Sequence, residues 1–162
     1  MADTDINAAS LTVTITEALS VGHDVTADAR DFAQTMTHTF ASIANVSKRV
    51  LKLENTNLTE VATFGSGESV GIYKRASVKY IRVTNLDGSD ALQVGLDDED
   101  SDAAYTSVAP ATSIMYTGTT VEGSNGGTTL EGDQGGSTLD NATALKVKGV
   151  AGHQLEVFIA SV

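Results

Sequence analysis

The chain has no cysteine and no tryptophan, one proline, and only four Phe and four Tyr in 162 residues. Without cysteine there are no disulfide staples, no thiolate nucleophile and no cysteine-based metal site. Large rings dominate the buried area of most domains, so a core drawn mainly from Ala, Val, Leu and Ile must be thin. A narrow sandwich, or burial shared between subunits, is the expected solution. Bases are scarce too: 10 Lys and Arg stand against 21 Asp and Glu, a formal net charge of -11. That balance argues against nucleic acid, whose phosphates attract Lys and Arg, and against anionic membrane surfaces. It favours a soluble surface that avoids random adhesion. No apolar run approaches the ~18 residues of a membrane-spanning helix. The segment MADTDINAAS is acidic and has no apolar core, so it does not read as a signal peptide, and synthesis in a cytoplasm is expected.

What is present is alternation. LTVTITEAL (Leu11 to Leu19) sets Leu11, Val13 and Ile15 against Thr12, Thr14 and Thr16, the period of a strand built from β-branched residues. FAQTMTHTFASI (Phe32 to Ile43) fits both a period-two set and a helical stripe; its threonines favour extended chain. KRVLKLEN and LTEVATFG follow as a hairpin or two successive strands, and GIYKR as a short edge segment. VKYIRVTNLDGSDALQVGL (Val78 to Leu96) reads as a hairpin turning at Asp-Gly. AYTSVAPATSIMYTG gives two short strands punctuated at Pro110, a residue tolerated in a loop or at a strand edge. The glycine-rich run Gly118 to Gly136 reads as a long flexible hairpin, and ALKVKGV with HQLEVFIASV as a final pair. Many short strands separated by turn signals, with no capped amphipathic helix, predict an all-β antiparallel sandwich, Ig-like or jelly-roll-like. Residues 1–60 are expected to form an extended N-terminal arm, and residues 61–162 the sandwich. Ile81, Val83, Val94, Leu145, Val147, Leu155 and Val157 are the expected core.

Little in the chain suggests chemistry. DDEDSD places Asp97, Asp98, Glu99, Asp100 and Asp102 within six residues, enough oxygens for a weak Ca²⁺ candidate. The sixth and twelfth positions counted from Asp97 hold Asp102 and Val108, where a calcium loop needs Gly and Glu. A solvated hairpin loop whose charges oppose edge-to-edge pairing is the plainer account. His23, His38 and His153 have no partner at metal-ligand spacing. No GxSxG elbow is present, and neither GSGES nor GSNGG leads into a phosphate-binding helix. No catalytic residue and no cofactor are assigned. A hydrolase using Asp97, Glu99 and Asp102 is the enzymatic alternative, supported only by the acidic loop. Lys48-Arg49 and Lys74-Arg75 are the paired bases, able to meet an acidic neighbouring subunit or to remain solvated.

Four segments in order carry a resemblance: TITEAL (Thr14 to Leu19), KRV (Lys48 to Val50), YIRVTNLD (Tyr80 to Asp87) and LEVFIAS (Leu155 to Ser161). This order resembles the small virion structural proteins of tailed cyanophages and related marine phages. Those chains similarly begin with a TITE strand, continue through a KR-(V/I) strand and a Y-(V/I/L)-R-(V/I)-T-N-L-D strand, and close on (L/V)-E-V-F-(V/I)-A-S. The resemblance covers most of the chain, with free spacing across Gly118–Gly136. It implies a non-enzymatic particle component located in the virion. The leading expectation is a capsid decoration (cement) protein that bridges subunits of the major capsid protein and forms a homo-oligomer, a trimer being favoured. A tail, collar or fibre-base protein, with Gly118–Gly136 as a host-contact loop, is the alternative. Tyr105 and Tyr116 are the rings nearest that loop, a poor platform for a glycan.

Overall fold

The computed structural model describes residues 9–19, 32–67, 69, 71–98, 104–117 and 142–162. The run Gly118–Gly136, the loop after Val21 and the acidic residues Glu99, Asp100 and Asp102 lie outside them. Eleven strands and one 3-10 turn, Arg75–Ser77, make up the described residues. The fold is all-β, as expected. It divides into two compact units, residues 1–44 and 45–162.

The first unit is an antiparallel ribbon of β1 (Ala9–Leu19) and β2 (Phe32–Ile43). Extended chain is therefore the outcome for the ambiguous Phe32–Ile43 segment. The second unit holds the remaining strands in two sheets. One sheet runs β5 (Ile72–Lys74), β4 (Thr59–Gly65), β10 (Ala142–Lys148), β7 (Leu92–Asp98), β8 (Ala104–Val108). The other runs β3 (Asn45–Lys52), β11 (Gln154–Ser161), β6 (Val78–Asn85), β9 (Ser113–Thr117). All neighbours are antiparallel except β4 and β5. The boundary expected at residue 60 thus falls at 44/45, because β3 pairs along its whole length with β11.

Apart from the short β5, the pairings nest. β3 pairs with β11, β4 with β10, β6 with β9, and β7 with β8, and successive pairs lie in opposite sheets. This is one long hairpin wrapped into a double layer, the jelly-roll arrangement of two Greek keys. It corrects two expected hairpins, β6 with β7 and β10 with β11. β6 and β7 do not pair, nor do β8 and β9, nor β10 and β11; each couple crosses from one sheet to the other. The physical reason is clear at Asn85–Ala91. Gly88 does not take the positive φ that a two-residue Asp-Gly hairpin requires. Side chains form the turn instead: the Asp87 amide donates to Asn85 Oδ1 at 3.0 Å, and the Ser89 and Asp90 amides donate to Asp87 Oδ1 at 2.9 and 3.3 Å. A chain bent in this way swings across the sandwich rather than folding back beside itself. The true hairpin partners are β7 and β8, joined across the acidic loop.

Between the sheets lies a single core cluster. All seven expected core residues belong to it, and none is more than 1% exposed. Val, Leu and Ile fill it, with Phe64 and Tyr116 as its buried rings. Each fully buried aliphatic side chain contributes roughly 1.5–3 kcal/mol.

At one end of the sandwich four of the crossovers between the sheets meet on a buried polar node. Asn85 and His153 are both 0% exposed. Asn85 Nδ2 donates to the carbonyls of Asp90 at 2.8 Å and Val108 at 3.1 Å. Its Oδ1 therefore accepts, and His153 Nε2, 2.6 Å away, carries the proton that it receives. The His153 carbonyl accepts from the Leu53 amide at 2.9 Å, and the Asn85 amide donates to Thr112 at 2.9 Å. The β3–β4, β6–β7, β8–β9 and β10–β11 connections are thereby joined through two side chains and their backbones. His153 Nδ1 faces Gly149, where a Cβ would approach to 2.8 Å; only glycine fits there.

Two outcomes follow from this packing. Ile81→Asp or Val157→Asp buries an unpaired carboxylate between the sheets, costs several kcal/mol, and yields insoluble or unfolded protein by circular dichroism. Asn85→Leu strands the buried His153 N–H and Val108 carbonyl and removes the partner of the Asp90 carbonyl; a stability loss of about 3 kcal/mol or more should appear as a lower urea midpoint.

Candidate functional site

No pair of residues among the described ones reads as a reaction centre, and the candidate sites are surfaces. Three differ in chemistry: the acidic hairpin end, the outer face of the β3–β11–β6–β9 sheet, and the separate β1–β2 ribbon.

At the acidic end, Asp97 is the penultimate residue of β7. One of its carboxylate oxygens pairs with Lys146 on β10 and the other accepts from the Tyr105 hydroxyl at 2.9 Å. Both oxygens are thus committed to neighbours on the sheet. Desolvation and the Asp97 charge push the Tyr105 phenol up to about 12. No group of three potential ligands for a metal ion occurs among the described residues. Of the proposed calcium set, Asp97 is held within the sheet, Asp98 ends β7, and Glu99, Asp100 and Asp102 lie outside the described residues. The histidines do not converge. His38 meets Phe40 in the ribbon with the rings tilted and their centroids 4.4 Å apart, His153 is a structural member of the buried node, and His23 lies outside the described residues. Tyr116 is buried in the core and its phenol is raised to about 12 by that burial, so it offers no stacking platform; Tyr105 remains partly exposed.

The outer face of the second sheet carries a charged clasp. Glu156 on β11 meets Lys48 of β3 at 3.1 Å and Arg82 of β6 at 2.8 Å. The Arg82 guanidinium lies 5.6 Å from the Phe158 ring centre, and Tyr80 meets the same ring edge-on at 5.9 Å. These contacts tie three strands together across the face. Being partly exposed, each ion pair is worth at most about 1 kcal/mol. Hydrogen bonds from Lys48 and Arg82 hold the Glu156 carboxyl below its ordinary value.

β3 is one of the two edge strands of this sheet, bonded to β11 on one side only. Its eight residues include Lys48, Arg49 and Lys52 and no acid. Val46 and Val50 stand 58% and 61% exposed on it. The sequence signalled this edge only by its paired bases; its outermost place depends on long-range pairing with β11.

The ribbon of residues 9–43 has two unlike faces. Thr12, Thr14 and Thr16 stand opposite Thr39, Thr37 and Thr35, all six exposed, with Thr12 and Thr39 hydroxyls 3.3 Å apart. Leu11, Val13 and Ile15 share the other face with Phe40, His38 and Met36; Met36 is 44% exposed. A two-stranded ribbon is marginal on its own, and here its apolar side remains partly open.

Searches against protein-family profiles, curated proteins and solved structures find no match to this chain.

The clasp makes a pH prediction. A carboxylate with a lowered folded-state pKa stabilises the fold above its unfolded value of 4.5, and that contribution is lost as pH falls through the folded value. Wild type should therefore lose stability below about pH 4.5 more steeply than Glu156→Gln, measured as urea midpoints from pH 6 to pH 3. Parallel curves for the two proteins would exclude the clasp as a contributor.

Proposed function

We propose that this chain is a non-enzymatic structural subunit of a tailed-phage particle, acting as a capsid decoration protein that bridges subunits of the major capsid protein. The observation that carries the reading is the division of labour within the chain. A sandwich filled by its own core supplies a rigid block, and a separate ribbon with a partly open apolar side supplies an element suited to bridging. A ligand that binds only the assembled shell stabilises it by mass action, and many weak, multivalent contacts add to a strong clamp. The four ordered segments that resemble cyanophage and marine-phage virion proteins supply the identity of the particle. Jelly rolls also serve as lectin domains and enzyme scaffolds, so the body alone does not choose among functions; the resemblance does. The acidic exterior keeps free subunits apart until a template is present.

The test is counting and stressing particles. Purified virions should contain the protein in hundreds of copies, as expected for a subunit repeated over a capsid surface. Particles that lack it should lose their heads sooner under heat or osmotic shock. A few dozen copies would move the protein to the tail or a vertex, and unchanged head resistance would end the cement role.

A further inference from the structure

We infer that His153 is a pH switch built into the fold: a second proton, on Nδ1, finds no acceptor, and its arrival opens the polar node and loosens the connections at that end of the sandwich. The switch stands apart from the particle reading, because it needs no partner. The ring is 0% exposed. Its Nε2 proton is taken by Asn85 Oδ1 at 2.6 Å, whereas the buried Nδ1 has no hydrogen-bond partner. Gly149 and Leu53 wall that atom in. A Cβ built on Gly149 would lie 2.8 Å from Nδ1 and 3.0 Å from Leu53 Cδ1, so carbon fills the place where an acceptor would stand. Asn85 supplies no acceptor either: its Oδ1 already receives the Nε2 proton, and its Nδ2 is spent on the Asp90 and Val108 carbonyls. A neutral ring with a bare Nδ1 forgoes one hydrogen bond. A charged ring in the same place is an unpaired buried cation, which costs far more.

The charges around the ring do not offset that cost. On the β6–β7 connection, Asp87 is the acid whose field couples to His153. Its Oδ1 already accepts from the Ser89 amide, the Ser89 hydroxyl and the Asp90 amide. Asp90 is exposed and accepts from the Ser89 hydroxyl. The β3–β4 connection brings Lys52 and Glu54 on either side of Leu53, both exposed. β10 ends on the exposed Lys148, and residues 109–112, between β8 and β9, carry no charge. Exposed charges act through water and are screened, and the two lysines oppose a further positive charge. In the unfolded chain a histidine gains its proton near pH 6.5, about the value of a free side chain. That chain therefore binds a proton that the intact node refuses, so stability rises with pH and is lost on acidification. Glu156 and Asp87 are held below their ordinary values of 4.5 and 3.8, so neither titrates in that range. The connections give way first, because the Leu53, Asn85 and Leu86 amides donate to the carbonyls of His153, Thr112 and Gln154 beside the ring.

The full-length protein carrying His23→Gln and His38→Gln keeps His153 as its single histidine, so the ring is followed by NMR without ambiguity. Between about pH 8 and about pH 5 the folded protein should show only the neutral ring, protonated at Nε2, while the folded-to-unfolded ratio from urea curves drops about tenfold per pH unit below about 6.5. Amide exchange, corrected for its intrinsic pH dependence, should lose protection at Leu53, Asn85 and Leu86 before Ile81 and Val157. Adding His153→Gln keeps a donor for Asn85 Oδ1 and removes the titration, so the ratio should become independent of pH over the same range, whatever its absolute value. Should that variant not fold, the single-histidine protein still decides. A folded protein whose ring takes the second proton while the Leu53, Asn85 and Leu86 amides stay protected overturns the switch. So does a single-histidine protein whose stability is flat across the range, or an equal slope with and without His153.

Discussion

The hydrogen bond between His153 and Asn85 is the constraint on which the wrapped topology turns. A jelly roll asks the chain to cross between sheets again and again, and each crossing exposes backbone groups at the end of the sandwich. Here four crossings meet at one end, and the side chains and backbones of Asn85 and His153 join them. Satisfied, such a node fixes a single arrangement of loops. Missing any member, it leaves buried polar groups without partners in a low-dielectric environment. The aliphatic core has no comparable directionality. Valines and leucines favour burial but are indifferent to which strands bury them, so the node supplies orientation that the core does not.

This difference explains what could be read in the sequence. Period-two alternation places Ile81, Val83, Val94, Leu145, Val147, Leu155 and Val157 on inward faces, and all are buried. Alternation is local, and it specifies a face. Partnership is not local. Val83 and Val94 look like opposite arms of one hairpin, yet they face each other from different sheets. Asn85-Leu86-Asp87-Gly88 reads as hairpin chemistry when Gly88 is given the leading role. In the structure Asn85 has that role, and its partner His153 is 68 residues away. His153 seen alone resembles a turn residue, and only the pairing of β11 with both β3 and β6 brings it to Asn85. The ribbon was misjudged in extent for the same reason. The Thr-rich arm was legible from its threonines, but whether β3 belonged to it was settled by eight consecutive pairings with a strand a hundred residues later.

Of the surface features, the acidic loop was the most conspicuous in sequence and is the least convincing as a metal site. A run of carboxylates signals only charge. Position decides what each does, and Asp97 spends both oxygens on Lys146 and Tyr105. The basic strand was inconspicuous by contrast, three residues in a chain dominated by acids. Its weight comes from topology, which puts those bases on an open edge beside two exposed valines.

A chain poor in large rings gains stability from area rather than from a few heavy anchors. The sandwich achieves this by closing almost every apolar strand face onto one cluster. The ribbon does not have this option, because two strands possess no opposite layer. Its threonines are content in water, since each hydroxyl stays hydrated or meets its cross-strand partner while the β-branched carbon favours extended backbone. Its Leu, Val, Ile and Met side is not content. That asymmetry separates the two units in kind: the sandwich is satisfied by its own fold, and the ribbon leaves part of its apolar side exposed.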